Sequence, residues 1–518
     1  MSQVKKLLGA AFLLMVVTFL GKIAGFLREV FIAAEFGTSH NADIFVAVST
    51  IPNLLLTITG GALSAALIPM VVRLCNQKET IRLKRLISSM FSITGLSMMG
   101  LALLLFFFGE EFTGLYVVGF SEEAKQLTLQ MIRIILPALV AIGLISLFSS
   151  ILNAYQHFFI PSLGPVFYSL GVIIATVFFA STYGVKSLII GMAIGIFVQL
   201  FLVITVTIKK GIPFFPSRIW WNEDIRQVGK LMLPIFIGIG AFQLNILVDR
   251  MMASTLPEGS LAALNYAYRV TQLPLSLFVG SMVLPLYPMI ADKIANQDMD
   301  GAKELLARSY HLLGILLLPV IGVFVALAEP VIAILFQRGQ FDAGAVKLTS
   351  LALILYSFTI LPFAMRDVIT RAMYALQDTW TPVINSVLLI ALNITLMVIF
   401  VPKLGMIAIA GSTSISFIFA YFRLRYKLIR KIGKTGGKEE QKLWFKIWRN
   451  AFVFTIITWG SYHGLMFIWS KPIGMELWLR TLVSLAIGGF VYLYLTFQIN
   501  TPEVDWLKTR LQQLLGRK

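Results

Sequence analysis

Cysteine is nearly absent from this 518-residue sequence: Cys75 stands alone, so neither an intramolecular disulfide nor a thiolate metal cluster can form. Histidine is almost as scarce, and His40, His157, His311 and His463 lack the spacing of metal ligands. No loop of the form G-x-x-x-x-G-K-[ST] occurs, which removes a built-in nucleotide-driven engine. Charged residues make up 13% of the chain, against about 25% in aqueous globules. Acid is shortest of all, with 25 Asp and Glu facing 43 Lys and Arg for a formal charge of +18. Polar linkers are missing too, apart from Lys431 to Lys442 with Gly433, Gly436 and Gly437, which reads as a solvated loop.

What the chain has in abundance is apolar sequence: 58% of residues are hydrophobic, and the mean hydropathy is +0.84. Its solvent is therefore lipid, where a helix needs roughly 20 apolar residues to cross a core about 30 Å thick. Lys5 and Lys6 precede the first apolar stretch in the manner of a secretory signal. That stretch is long, is interrupted by Lys22 and Arg28, and leads straight into further spans, so it reads as a first helix. Apolar windows cover Leu7 to Ala34, Asp43 to Val72, Leu86 to Phe108, Leu127 to Leu152, Ile160 to Ala180 and Ser187 to Ile208. Six more cover Val228 to Ser254, Leu261 to Ile290, Leu305 to Leu335, Val346 to Leu376, Thr381 to Val401 and Met406 to Leu428. Ile447 to Trp469 and Leu477 to Ile499 close the series, which predicts fourteen transmembrane helices, give or take one, in an all-α polytopic membrane protein.

Basic residues fall in alternate loops, as the preference of Lys and Arg for the cytoplasmic side requires. Arg73, Lys78, Arg82, Lys84 and Arg85 follow helix two; Lys209, Lys210 and Arg218 follow helix six; Arg425 through Arg449 follow helix twelve. The opposite loops hold Glu110, Glu111 and Glu258. Both termini are expected in the cytoplasm. The positive surplus is thus explained by the bilayer, with no nucleic-acid partner.

An internal repeat divides the chain. Asn153-Ala154-Tyr155-Gln156 with Pro161 recurs as Tyr374-Ala375-Leu376-Gln377 with Pro382, a shift of 382 − 161 = 221. Asp43 to Pro52 lines up with Asn265 to Pro274, a shift of 274 − 52 = 222 that also carries Arg28 onto Arg250. Each copy holds an even number of helices, so the copies share one orientation, and the repeat is parallel. The expected organisation is a lobe at 1–215 (helices 1–6), a second at 222–432 (helices 7–12), a cytoplasmic loop at 433–446, helices 13–14 at 447–499, and a cytoplasmic tail at 500–518.

Ionisable residues inside membrane helices cost about 2.5 to 3.5 kcal/mol each on insertion scales, so they mark cavities and function. Helix one carries Lys22, Arg28 and Glu29; helix two opens with Asp43; helix seven has Asp249 and Arg250; helix eight has Arg269; helix ten has Arg366, Asp367 and Arg371. Six residues separate Lys22 from Arg28, about 240° of helix azimuth, so the two do not share one stripe. One arrangement points Arg28 into a cleft while Glu29 pairs with a neighbouring helix. Guanidinium forks suit phosphate oxygens, so a cleft lined by Lys22, Arg28 and Arg269 favours a diphosphate over an organic cation. Asp249, with Asn245 one turn earlier and Asn393 in helix eleven, offers hard oxygens of the kind a sodium ion takes.

Gly25-Phe26-Leu27-Arg28-Glu29, Phe36-Gly37-Thr38, Ala42-Asp43 and Ile51-Pro52-Asn53-Leu54-Leu55 together resemble blocks of the MurJ/MviN lipid II flippases. Ile151-Leu152-Asn153-Ala154 with Phe158, Pro161 and Pro165 extends the likeness, as does Leu335-Phe336-Gln337-Arg338-Gly339-Gln340-Phe341. The resemblance implies the multidrug/oligosaccharidyl-lipid/polysaccharide exporter fold: two six-helix lobes in a V plus two C-terminal helices. It implies a bacterial cytoplasmic membrane protein that moves an undecaprenyl-diphosphate-linked peptidoglycan precursor, lipid II, from inner to outer leaflet by alternating access. Arg28, Arg269, Lys22, Glu29 and Asp43 are then the substrate-binding candidates, and Asp249 and Asn393 the cation-binding ones. This sequence departs from the family pattern with Leu56 and Thr57, Gly60 and Gly61, and Tyr268. No cofactor is expected beyond a possible sodium ion or the membrane potential as driving force, and the transport unit is expected to be a monomer. The alternatives are a flippase for another polyprenyl-linked saccharide, a cation-coupled drug exporter, and a membrane glycosyltransferase. The first would spare lipid II; the second needs a cleft dominated by carboxylates; the third needs catalytic carboxylates or a sizeable outer loop.

Overall fold

The computed structural model describes residues 3–212, 222–433, 437–468, 474–499 and 504–505, with side chains in the first helix from residue 14 onward. The expected tail at 500–518 lies outside the described residues except for 504–505.

The chain runs as α1 (Gln3–Phe36), α2 (His40–Asn76), α3 (Thr80–Phe107), α4 (Gly109–Tyr116), α5 (Glu122–Ala154), α6 (Phe159–Ser162), α7 (Gly164–Tyr183) and α8 (Val185–Lys209). It continues as α9 (Glu223–Ser254), α10 (Ser260–Pro274), a π-helical turn (Leu275–Val279), α11 (Gly280–Ala295), α12 (Met299–Ala326), α13 (Ala328–Phe336), α14 (Ala343–Ser357) and α15 (Ile360–Ala375). It closes with α16 (Trp380–Leu404), α17 (Met406–Ile432), α18 (Lys438–Gly464) and α19 (Met475–Phe497). Among the described residues, eleven helices or joined helix pairs are long and apolar enough to cross a bilayer. Together with α1, the α10–α11 segment and α18, they account for every expected span.

Three expectations change. The short helices α4 and α13 occupy ground read from sequence as loop or as the tail of a longer span. Too short to register as apolar windows, they are set off from α3 and α12 at Phe108 and Leu327, which leave helical backbone angles. The loop expected at 433–446 is also mostly helix, because α18 begins at Lys438. Its first turn holds Glu439 and Glu440, acids that complement the helix dipole where apolar periodicity gives no signal. Finally, α2 runs on to Asn76, so Arg73, read from sequence as following helix two, belongs with Cys75 to its last turn.

The backbone repeats at the offset seen in the sequence. Gln156 and Gln377, 221 apart, are both non-glycine residues of positive φ, at 60° and 59°. Gly184 and Gly405 (offset 221), Gly37 and Gly259 (222), and Gly211 and Gly433 (222) also adopt positive φ in pairs. Left-handed backbone is rarely populated, so its recurrence at one interval marks two copies of the same chain path.

The chain divides into two compact units, Met1–Ala262 with Arg338–Phe341, and Ala263–Gln337 with Asp342–Lys518. In the first unit, α7 and α8 approach until backbone nearly meets backbone. A Cβ on Gly171 would lie 2.2 Å from the Gly191 carbonyl oxygen, and one on Gly195 would lie 2.4 Å from that of Phe167. Lipid offers no hydrophobic drive for helix pairing, so close packing through small residues supplies the association. α2 packs along α5, with Thr59 and Ser146 hydroxyls 3.0 Å apart and those of Ser64 and Ser150 2.9 Å apart. α9 also lies along α2, where Ile239 rests on Gly61. Thus one position at which the chain departs from the family pattern is where bare backbone admits a neighbouring helix. Arg82 fixes the start of α9 by donating from Nε and Nη2 to both Asp224 carboxylate oxygens, each at 2.7 Å.

In the second unit, α12 carries the C-terminal hairpin. Gly314 lies under Trp444 of α18, Gly322 under Phe454 and Thr455, and the Tyr492 hydroxyl of α19 donates to the Ile315 carbonyl at 2.6 Å. The last two helices, which the sequence marks only by hydropathy, are built into this unit through specific contacts.

Candidate functional site

The face of α1 that meets α7 is written in small residues. Gly21 faces Pro165, Gly25 faces Ser169, and Arg28 follows on the same stripe, where its guanidinium lies 4.8 Å from the centre of the Tyr168 ring. Arg28 is only 6% exposed and Glu29 2%. The arginine Nη2 donates to Glu29 Oε1, so the acid neutralises its own neighbour, while Arg28 Nε has no hydrogen-bond partner among the described residues. Glu29, which one arrangement read from the sequence paired with a neighbouring helix, here accepts from Arg28. Lys22, off this stripe, is exposed.

Asp43 is buried in the first turn of α2. Its Oδ2 accepts the Gly259 N–H and its Oδ1 the Ala262 N–H, each at 2.7 Å. These are N–H groups at the start of α10, which the helix itself cannot satisfy. The reverse contact exists as well: Glu258 Oε1 accepts the His40 N–H at 2.7 Å, at the start of α2. His40 and Ala262 are 222 residues apart, the repeat offset, so two repeat-related helices cap each other. Tight backbone surrounds this junction. Gln340 N–H donates to the Ala34 carbonyl at 2.8 Å, and a Cβ on Gly259 would lie 2.0 Å from the Thr38 oxygen. The Tyr116 hydroxyl donates to the Ala47 carbonyl at 3.0 Å; burial pushes its pKa up to about 12, which keeps it a neutral donor.

The remaining candidates fall in both units. Asp249 is partly buried on α9 of the first unit, and Asn245 one turn before it donates to its Oδ2 at 3.5 Å. Arg269, exposed on α10, and Asn393, buried on α16, belong to the second unit. Beside Arg269, Tyr268 sets its ring edge-on to Tyr356 at 5.8 Å. Among the described residues no three His, Cys, Asp or Glu side chains are grouped to hold a metal ion. The contributions of Tyr168 and Glu258 escape sequence reading. Tyr168 is an aromatic in an apolar run, and Glu258 acts on a backbone N–H that leaves no pattern of its own.

The sequence matches the model of the lipid II flippase MurJ family over residues 32–482. The chain belongs to the MurJ family. A probable lipid II flippase MurJ from Buchnera aphidicola subsp. Schizaphis graminum is 30% identical, over 92% of this chain and 94% of that protein. A solved lipid II flippase MurJ in an inward closed conformation superposes with a TM-score of 0.80 at 26% identity, covering 94% of this chain and 98% of that one. An inward-facing MATE-family multidrug transporter of the MOP superfamily shares the fold alone, with a TM-score of 0.68 at 13% identity over 82% of this chain. Membership in the MurJ family makes this a multi-pass membrane transporter, and Arg28, Glu29 and Asp43 are charged residues of the family blocks that its fold buries.

Proposed function

We propose that the protein carries lipid II, an undecaprenyl-diphosphate-linked peptidoglycan precursor, from the inner to the outer leaflet of the bacterial cytoplasmic membrane by alternating access and without covalent chemistry. The observation that carries this reading is Arg28: a guanidinium buried within a membrane helix, with an acid and an aromatic ring holding it and Nε unused. Such a group costs too much in lipid to serve packing alone and suits a diphosphate. The tail stays in lipid, so only sugar and phosphate need a polar path. Closure on one side is assigned to the reciprocal caps of Asp43 and Glu258, which can break only if the freed N–H groups find water. Lys22, Glu29 and Arg269 complete the headgroup contacts. Asp249 and Asn393 are assigned to sodium, with the membrane potential as the alternative drive, and the transport unit is a monomer with both termini in the cytoplasm.

The test is depletion of a cell's lipid II flippase and complementation with this chain, wild type or Arg28→Ala, while scoring lipid II in the outer leaflet. Rescue by wild type but not by an equally expressed variant is expected. Failure of well-expressed wild type would redirect the assignment to another polyprenyl-linked glycan.

A further inference from the structure

Two arginines in the second unit lie at membrane depth beside neutral partners. Arg366 of α15 donates from Nη2 to the Ser386 hydroxyl at 2.6 Å, and its Nε has no hydrogen-bond partner among the described residues. Arg423 of α17 donates from Nη1 to Asn385 Oδ1 at 3.1 Å. Asn385 and Ser386 are consecutive on α16, so a single turn of that helix receives one guanidinium from each neighbour. Both arginines sit nine residues before the end of their helix, at Ala375 and Ile432, about 13 Å along the axis at 1.5 Å per residue. Asn385 and Ser386, which receive them, lie five and six residues past the start of α16 at Trp380, about 8–9 Å, so the tier sits toward one end of these helices within a core about 30 Å thick.

The charge balance differs from that around Arg28. Asp367, the carboxylate adjoining Arg366 whose charge reaches it, already accepts from Arg371 Nε at 3.3 Å. A hydroxyl and an amide satisfy hydrogen bonds without cancelling charge, so this tier holds more cation than anion. Membrane interiors tolerate such a surplus where an anion or water faces it. The repeat reinforces the point. At the 221 offset, Arg366 and Arg423 fall on Ile145 and Leu202, so neither charge belongs to the shared scaffold.

We propose that Arg366 and Arg423, held apart by Ser386 and Asn385, form a second anion-receiving station that takes the diphosphate of the polyprenyl-linked substrate. The inference rests on the substrate class proposed above. In the topology argued from loop charge, α15 and α17 end on the cytoplasmic side, the side from which the substrate enters. Arg28 lies eight residues from the opposite end of α1. The second-unit tier therefore receives the headgroup first, and Arg28 acts later in the passage.

The experiment uses the full chain in lipid nanodiscs with undecaprenyl diphosphate as probe and undecaprenyl phosphate as comparator. Arg366→Gln and Arg423→Gln should each weaken diphosphate binding about tenfold or more, the scale of a lost charge-assisted hydrogen bond. They should weaken monophosphate binding less, and Arg366→Lys should recover part of the loss. A second measurement leaves both arginines in place. In a Cys75→Ser background, undecaprenyl diphosphate at about ten times its Kd should slow alkylation of the S386C thiol by about tenfold. Unchanged affinity in folded variants, or an unprotected S386C thiol, overturns the station. Binding lost in Arg28→Gln but intact in both second-unit variants overturns the station and leaves the flippase reading standing; no binding by wild type overturns both.

Discussion

The two six-helix halves of the chain share their turns and differ in their charges. Gln156 and Gln377, Gly184 and Gly405, and Gly37 and Gly259 adopt the same rare backbone at offsets of 221, 221 and 222. The arginines keep no such discipline. Arg28 is followed by its acid, Glu29, whereas Arg250 at the 222 offset is preceded by one, Asp249. Arg366 and Arg423 fall on apolar residues. The turns that recur are what any such half needs to fold. Arg28 recurs as Arg250 with its acid on the other side, and Arg366 and Arg423 appear once, so the charges and their pairing, and not the turns, set the two halves apart.

Mutations can sharpen or break that contrast. The largest effect is expected at Gly259, where positive φ coincides with crowding: Gly259→Ala places a carbon 2.0 Å from the Thr38 oxygen. The loss should reach about 3 kcal/mol or more, read as a lowered melting temperature of the purified protein or as failure to accumulate. Next is Asp43→Ala, which strips two buried N–H groups of their acceptor and should cost about 1–3 kcal/mol each if water does not replace it. Asp43→Asn should restore part, since one amide oxygen remains to accept. Third is Gly184→Ala, with the same sign of φ but open space around it, for which about 1 kcal/mol is expected. If Gly184→Ala proves as damaging as Gly259→Ala, repeat position rather than crowding governs the cost.

The smallest effect is at Asp378, a cap built locally in the turn before α16. It accepts from Thr381 N–H and Oγ1 and from Lys431 Nζ. The Lys431 ammonium and Thr381 hold its pKa down at about 2. Because the folded value lies below the ordinary one near 3.9, its stabilisation is complete above about pH 4 and fades as pH falls through 2. Asp378→Asn should lower stability by less than about 1 kcal/mol at neutral pH and flatten that acid dependence, measured as melting temperature against pH.

The fold was largely legible because lipid enforces a simple rule: long apolar runs become helices. All fourteen expected spans fall on helices, and the repeat offset read from Tyr155-Gln156 and Leu376-Gln377 recurs in the φ angles of the two glutamines. Helix ends outside the apolar runs were not legible. Lys438 to Lys446 looks like solvated loop by charge, yet it continues α18, since hydropathy registers the bilayer and not the helix. Of the candidate site, Arg28 and Asp43 stood out in the sequence, but the groups they contact did not. Glu29 could pair with its neighbour in sequence or with another helix, Tyr168 hides in an apolar run, and the groups Asp43 serves are backbone N–H, identical at every non-proline residue.

One contact has a mechanical corollary. Pro319 interrupts the hydrogen bonding of α12, an obvious place for that helix to flex. Yet the hairpin grips α12 on both sides of the break, through Trp444 on Gly314 and Tyr492 on Ile315 before it, and through Phe454 and Thr455 on Gly322 after it. Helices α18 and α19 thus act as a splint across a fracture. Bending in the second unit is left to unbraced helices, and a chain trimmed after α17 would acquire a joint that the intact protein does not have.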